Sequence, residues 1–334
     1  MSWLGLDIGG ANLKAADTRG WARTVPFALW RNPDGLAQAL RELISQAPAH
    51  ERLAVTMTGE LCDCFRSKAE GVEKILAAVR EVARKRDVAV YLCNGQFVSV
   101  PDAIEEPLLA AASNWRAIAE LACRCVGERD AVLVDIGSTT TDVIPIESGR
   151  VASRGYTDTE RLLSRELVYS GVGRTPVCAL TQLLPLRDAM CPVAAELFST
   201  TADVYVLLGD VCEDPAATWP ADGRPLTADL SKERLARQVC ADANSLSRDE
   251  LIKMAAYVRA AQQSQLGAAF KHVARSLAGG RPCFVTSGSG EFLAQAVVAS
   301  EFQDCPVNSL ADGYGQAVSQ CAAAFAVAVL AKDA

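Results

Sequence analysis

Histidine is nearly missing from this chain: His50 and His272 are the only two in 334 residues. That scarcity argues against Ser-His-Asp hydrolysis and against the usual zinc hydrolases, which need imidazole beside a nucleophile or a metal. A concentrated basic face is also lacking. Lys and Arg number 33 against 40 Asp and Glu, the net charge is -7 and the pI is about 5.1, so a protein that reads a nucleic-acid backbone is not expected. The basic run Arg80 to Arg86 closes a predicted helix, where cations face the negative end of the dipole, and reads as a solvated face. No apolar run reaches the roughly 20 residues needed to cross a bilayer. The tail Ala317 to Leu330, which contains Ser319 and Gln320, reads as a buried helix, and no membrane partner is expected. Zinc-like cysteine spacing is absent too. The 12 cysteines are scattered, and the close pairs Cys62/Cys64 and Cys123/Cys125 are C-x-C rather than C-x-x-C. They read as reduced thiols, and a cytoplasmic location is expected because the first residues already follow a strand pattern.

Half of the residues are hydrophobic, enough at this length for two lobes or one large α/β unit without disulfide staples. The chain is organised around two related stretches, LGLDIGGANLKA at Leu4 to Ala15 and AVLVDIGSTTTDVIPI at Ala131 to Ile146. In each, an apolar run ends in Asp-Ile-Gly, small hydroxyl or amide residues follow, and a second apolar run returns. That pattern predicts a strand, a tight turn and an antiparallel strand. The glycines let a ligand approach the backbone, and the amides and hydroxyls of the turn can donate to phosphate oxygens. Asp7 and Asp135, at the ends of the first strands, suit a Mg²⁺ ion held directly or through water. Two such hairpins predict a polyphosphate gripped from both sides.

Between the hairpins the pattern predicts a strand within Trp21 to Trp30, a helix over Pro33 to Ser45 and a strand over Arg52 to Thr58. An amphipathic helix from about Gly71 and a strand over Val88 to Cys93 follow. This order belongs to a mixed α/β domain and not to a Rossmann repeat, because its first two strands meet at a short turn. Further helices are predicted over Pro107 to Cys125, Asp158 to Tyr169 and, as the longest, Arg248 to Leu277. A loop rich in Pro, Asp and Gly occupies 212–230, with helix resuming at Lys232. The end of the chain predicts a strand over Pro282 to Thr286, a glycine turn over Ser287 to Gly290, a helix over Glu291 to Val298, a short strand near Asp304 to Asn308, a loop ADGYG and the apolar final helix. Phe198 to Leu208 mixes helix and strand cues.

Two phosphate hairpins followed by a late glycine turn, in that order, resemble the actin-like ATPase superfamily. The resemblance implies an α/β, two-lobed actin-like ATPase fold, as in sugar kinases, heat-shock chaperones and actin, with mixed sheets flanked by helices. The first lobe is then 1–130 and the second 131–315, with a loop insertion around 212–230 and a final helix over 316–331 packing back on the first lobe. Within the superfamily the chain resembles the hydantoinase/oxoprolinase-related group. Three strings, MTGELCDCFRSKAEGV at Met57 to Val72, DIGSTTTDVIPI at Asp135 to Ile146 and GYTDTERLLSRELVYSGVGRTPV at Gly155 to Val177, are similar to the tetrahydromethanopterin-linked C1 transfer pathway protein family. Its archaeal members include a synthase of methanofuran biosynthesis. The resemblance therefore implies a transferase that joins an (aminomethylfuranyl)methyl diphosphate to the phenol of γ-glutamyltyramine and releases diphosphate. An ATP-dependent small-molecule kinase or an oxoprolinase-like amidohydrolase is the alternative, with ATP in the grip, and a nucleotide-gated binding protein without turnover is a third reading. The short chain counts against the hydrolase.

In the transferase reading the leaving diphosphate meets Mg²⁺ near Asp7 and Asp135, the ammonium of Lys14, and N–H groups of Gly9, Gly10, Gly137 and Ser138. Asn12, Thr139 and Thr140 add side-chain donors, and the turn Ser287, Gly288 and Gly290 opens a helix as an anion or nucleotide seat. Asp142 or Glu60 is the candidate base for the phenol, whose free pKa is near 10. Glu60, Asp63 and Lys68 follow a strand that stops at Gly59, a place where loops carry sites; the bland alternative is a salt-bridged helix start. Arg161 and Arg174, with Arg165, suit the anionic glutamyl tail or simply pair with Glu160 and Glu166. The expected partners are a small-molecule diphosphate and a phenolic, amine-derived acceptor, with no nucleic acid and no membrane, and with a homo-oligomer left open.

Overall fold

The structure is a computed structural model and describes residues 2–334. In the first lobe β1 (Trp3–Ile8) turns at Gly9 to Ala11 into β2 (Asn12–Asp17), and β3 (Ala22–Pro26) extends that antiparallel side. Through α1 (Leu36–Ser45) the chain crosses to β4 (Arg52–Met57), parallel to β1, and through α2 (Lys68–Ala83) to β5 (Asp87–Tyr91), parallel to β4. A two-residue β6 (Phe97–Val98) closes the edge, giving the order β3-β2-β1-β4-β5-β6. Three helices, α3 (Val100–Glu105), α4 (Pro107–Ala110) and α5 (Asn114–Val126), lead out of the lobe.

The second lobe repeats the plan. Its hairpin is β7 (Ala131–Ile136) and β8 (Thr141–Glu147), edged by β9 (Arg150–Val151) and, after α6 (Asp158–Leu163), by β10 (Leu167–Val168). A subdomain follows: α7 (Val177–Leu180), the hairpin of β11 (Leu183–Leu186) and β12 (Ala189–Pro192), α8 (Thr201–Leu208), α9 (Ala228–Arg237) and α10 (Arg248–Ala274). The sheet is completed by β13 (Cys283–Ser287), then α11 (Glu291–Glu301) and β14 (Val307–Ser309), in the order β10-β8-β7-β13-β14. Three helices end the chain: α12 (Leu310–Tyr314), α13 (Gln316–Gln320) and α14 (Ala322–Asp333). In both sheets a central antiparallel hairpin has another antiparallel strand on one side and two parallel strands on the other. That duplicated topology is the actin-like ATPase fold.

Between the two sheets lies a shared core in which α5 and α14 bring Trp115, Ile118 and an alanine-rich face against Leu133, Ile144 and Val285. Against β1 the last helix packs at backbone distance: a Cβ added at Gly5 would lie 1.8 Å from the Ala324 carbonyl oxygen. Among the described residues no helix is long and apolar enough to cross a membrane.

Several elements differ from the sequence pattern for local reasons. Ser67 caps Glu70 N–H, so α2 begins at Lys68 and not at Gly71. The helix expected over Pro107 to Cys125 is interrupted at Ala111 to Ser113, where Ala112 has a φ of +48° and the Ser113 hydroxyl is buried against Thr56 at 2.8 Å. The helix expected over Asp158 to Tyr169 stops at Leu163. Arg165 turns at a φ of +60°, and Leu167 and Val168 pair with Asp142 and Thr141 at the sheet edge. Phe198 to Leu208 resolves into α8 from Thr201, its start fixed where Asp203 Oδ2 accepts from Thr200 N–H at 3.0 Å. Thr227 starts α9 four residues ahead of Lys232, and the ADGYG loop is helical because Ser309 caps Asp312.

Candidate active site

The two hairpin turns face each other across the cleft, with Asn12 Nδ2 3.5 Å from Ser138 Oγ. Each turn is closed from within: Gly9 N–H donates to Asn12 O at 3.0 Å, and Gly137 N–H to Thr140 O at 2.9 Å. Gly9 and Gly137 are therefore not the ligand donors their sequence position suggests. Among the described residues the N–H groups of Gly10, Ala11, Ser138, Thr139 and Thr140 have no protein acceptor, and they are the free donors an anion grip would need. Ala11 carries no sequence signal and enters only through the turn geometry.

Behind the turns, strand register sets Asp7 opposite Lys14 and Asp135 opposite Asp142. The position that holds a cation in the first hairpin thus holds a carboxylate in the second. Lys14 Nζ lies 3.8 Å from Asp7 Oδ2, while Asp7 Oδ1 is buried without a partner. Burial raises the Asp7 carboxyl against the pull of Lys14. Burial and the nearby Asp142 push Asp135 up to about 6, although Ser287 Oγ donates to it. Burial draws the Lys14 ammonium down, and Asp7 with the other carboxylates outweighs it, so Lys14 stays charged. No three His, Cys, Asp or Glu side chains among the described residues gather into a metal cage. Mg²⁺ needs no such cage, since it keeps waters and binds through one or two carboxylates plus substrate phosphates. The orphaned oxygen of Asp7, with Asp135 beside it, fits that mode.

The turn Ser287 to Gly290 packs on the second hairpin. Gly290 N–H donates to Ile136 O at 2.8 Å and Gly288 N–H reaches Ser319 at 3.3 Å, so neither is free for an anion. Their lack of a side chain is a packing need: a Cβ at Gly288, where φ is +92°, would lie 2.3 Å from Ile136 O, and one at Gly290 would lie 2.4 Å from the Ile136 side chain. Ser289 and Glu291 are what this turn presents to the cleft.

Two cavities flank the paired turns and share Ala11 and Arg174 in their walls. The larger, about 720 Å³, is bounded by Asn12, Lys14 and Ser138 and roofed by Trp219 and Leu226 from the 212–230 loop. The smaller, about 280 Å³, is bounded by Gly10, Thr139 and Thr140 on the turns and by Glu60, Asp63 and Tyr169 beyond them. Glu60 is 1% exposed, and its Oε2 has no hydrogen-bond partner. Burial, with Asp158 adding to it, pushes the carboxyl up to about 7. α2 holds it there by packing on its backbone, since a Cβ at Gly71 would lie 2.4 Å from Glu60 O.

Asp142, the other candidate base, accepts a short hydrogen bond from Arg161, a side chain 1% exposed and stacked 4.5 Å over Trp115. Arg161 is thereby committed to Asp142, with Asp158 at 3.8 Å and the Glu166 backbone carbonyl at 3.4 Å, and it pairs with neither the Glu160 nor the Glu166 carboxylate. Glu160 instead caps α6, and Glu166 accepts from Ser153 and from Arg154 N–H. Lys68 bridges the lobes to Asp158 at 2.6 Å. Arg174 stacks 4.2 Å over Trp30, another residue without a sequence signal. All 12 cysteines are unpaired thiols, and burial pushes Cys62, in the wall of the smaller cavity, up to about 11.

A hydantoinase/oxoprolinase family profile matches residues 51–333. The chain is 36% identical over 255 residues to a (4-{4-[2-(gamma-L-glutamylamino)ethyl]phenoxymethyl}furan-2-yl)methanamine synthase of Methanocaldococcus jannaschii, covering 75% of this chain and 76% of that one. It is 32% identical over 211 residues to a protein of the same name from Methanococcus vannielii, covering 62% of this chain and 92% of that one. Among solved structures, nucleotide-free acetone carboxylase aligns over 98% of this chain and 70% of its own, at 13% identity and a TM-score of 0.52, a likeness of fold alone. Matched over most of its length by the family profile, and by these two synthases at more than 30% identity, the chain belongs to the hydantoinase/oxoprolinase family.

Proposed function

We propose that this protein is a transferase that joins an (aminomethylfuranyl)methyl diphosphate to the phenol of γ-glutamyltyramine and releases diphosphate, acting in the cytoplasm. The observation that carries the reading is the pair of cavities meeting at turns whose amides lack acceptors: room for two substrates with an anion between them. The name of the two relatives describes an aryl ether of a furanylmethyl group, the bond such an arrangement would make.

The bond from the furanylmethyl carbon to the diphosphate oxygen breaks with its electron pair leaving on diphosphate. The phenol oxygen bonds to that carbon, and the phenolic proton passes to a base. The furan ring delocalises positive charge on the carbon, so the protein mainly stabilises the leaving group. The free amides of Gly10, Ala11, Ser138 and Thr139, with Lys14, are placed for this, and one preorganised donor in a dry site contributes roughly 3 kcal/mol. Mg²⁺ held by Asp7 and Asp135 would neutralise further charge on the diphosphate. Glu60 is the base in this reading, because it lines the smaller cavity with one carboxylate oxygen unpartnered while Asp142 is tied to Arg161. The acceptor phenol accordingly occupies the smaller cavity and the diphosphate approaches from the larger.

The size of the larger cavity also suits a nucleotide, which keeps an ATP-dependent kinase as the competing reading. Assaying purified protein for diphosphate release separates the two. Release that requires both the furan diphosphate and γ-glutamyltyramine supports the transferase. ADP formation from ATP with neither dependence sinks it.

A further inference from the structure

We infer that Arg174 is a catalytic residue that receives the negative charge developing on the departing diphosphate, and is not a clamp for the glutamyl tail; the inference rests on the transferase reading. Its backbone is fixed on the second hairpin turn. Val172 N–H donates to Gly137 O at 3.0 Å, and Gly173 and Arg174 N–H donate to Ser138 O at 2.9 and 2.8 Å. Glycine at 171 permits that approach, since a Cβ there would lie 2.5 Å from Gly137 O. The guanidinium ends 4.2 Å over Trp30, whose loop is fixed on the first turn by Phe27 N–H to Ala11 O and Leu29 N–H to Gly10 O, both 2.9 Å. Arg174 therefore reaches from one half of the anion grip to the other.

The other cations in the cavity walls have carboxylate partners, Lys14 with Asp7 and Arg161 with Asp142 and Asp158. Arg174 has none within 4.0 Å among the described residues. Stacking on an aromatic face holds the guanidinium plane and leaves its N–H edge available for bidentate contact with phosphate oxygens. The residue lines both cavities, at the place where they adjoin. The glutamyl carboxylate lies at the far end of the acceptor from its phenol oxygen, away from that junction. One further negative charge develops on the already anionic diphosphate as the carbon–oxygen bond breaks, so a cation placed there favours the transition state over the ground state.

The test is titration of inorganic diphosphate with MgCl₂ into the full chain and into Arg174→Ala and Arg174→Lys, read by calorimetry, alongside turnover with γ-glutamyltyramine and with tyramine. Arg174→Ala should bind diphosphate about tenfold more weakly and lose about a hundredfold in kcat, by the same factor with either acceptor, with Arg174→Lys recovering part of both. Unchanged diphosphate binding by Arg174→Ala, or a loss that disappears with tyramine, overturns the assignment. If the unaltered protein neither binds nor releases diphosphate, the transferase reading falls, and this one with it.

Discussion

Glu60 sits in the cavity wall with one carboxylate oxygen unpartnered, so its ionisation governs two pH dependences of opposite sign. As the proposed base it would work ionised, and kcat/KM should rise as pH passes about 7. Glu60→Gln should flatten that limb and lower the rate by roughly 10²–10⁴-fold. An unchanged pH profile in the variant would move the base elsewhere. For stability the sign reverses. The folded pKa, about 7, lies above the ordinary 4.5, so the stabilising contribution is complete below 4.5 and is lost as pH rises through 7. Ionising the buried group costs about 3 kcal/mol. Glu60→Gln should therefore resist urea better than the unaltered protein at pH 8 and not at pH 4; equal midpoints at pH 8 would show that the carboxylate is solvated. The Asp-Ile-Gly strings made the two hairpins legible in sequence, because strand, turn and returning strand are consecutive there. The choice between Glu60 and Asp142 was not legible, since it turns on Arg161, nineteen residues beyond Asp142 and on another element. Trp30 was hidden for the same reason, since its role comes from the Arg174 that the opposite lobe presents to it, and Ala11 because only the closed geometry of its own turn leaves its N–H free.

Among the elements, those with a clean period and an unambiguous stop follow the sequence pattern: both hairpins, α1, α10, β13 and α11. The ones that depart from it are short pieces whose fate is decided by a neighbour. Leu167 and Val168 have helical spacing, yet β8 offers them a ladder and burial at its edge. Ala112 and Ser113 interrupt a helical run because the Ser113 hydroxyl is placed to meet Thr56 on β4. Contact between α14 and β1 was likewise invisible as a requirement on any one residue, and Gly5 carries it. Gly5→Ala drives a methyl into the Ala324 backbone and should destabilise the protein by about 3 kcal/mol in chemical denaturation. A loss below 1 kcal/mol would mean that the helix shifts freely on the sheet.

For the whole molecule the contacts that matter cross the cleft: Lys68 with Asp158, Trp30 with Arg174 and Asn12 with Ser138. All three surround the anion grip, so the lobes should tighten when a diphosphate fills it. Limited proteolysis should slow when diphosphate and Mg²⁺ are added. Lys68→Met should speed cleavage of the unliganded protein two- to fivefold, as expected for a partly exposed ion pair worth about 0.5–1 kcal/mol. Ligand-independent cleavage rates would argue that the lobes are rigidly joined.

The return of α14 to β1 also bears on the order in which the protein can be made. A lobe encoded first would ordinarily fold first as it leaves the ribosome. Here the surface of β1 waits for Ala324 and its neighbours, which emerge after both hairpins, so the earlier lobe cannot close before the later one has been made. A message interrupted just before Ala322 would yield a chain holding both hairpin turns and lacking the helix that covers the strand beneath the first of them.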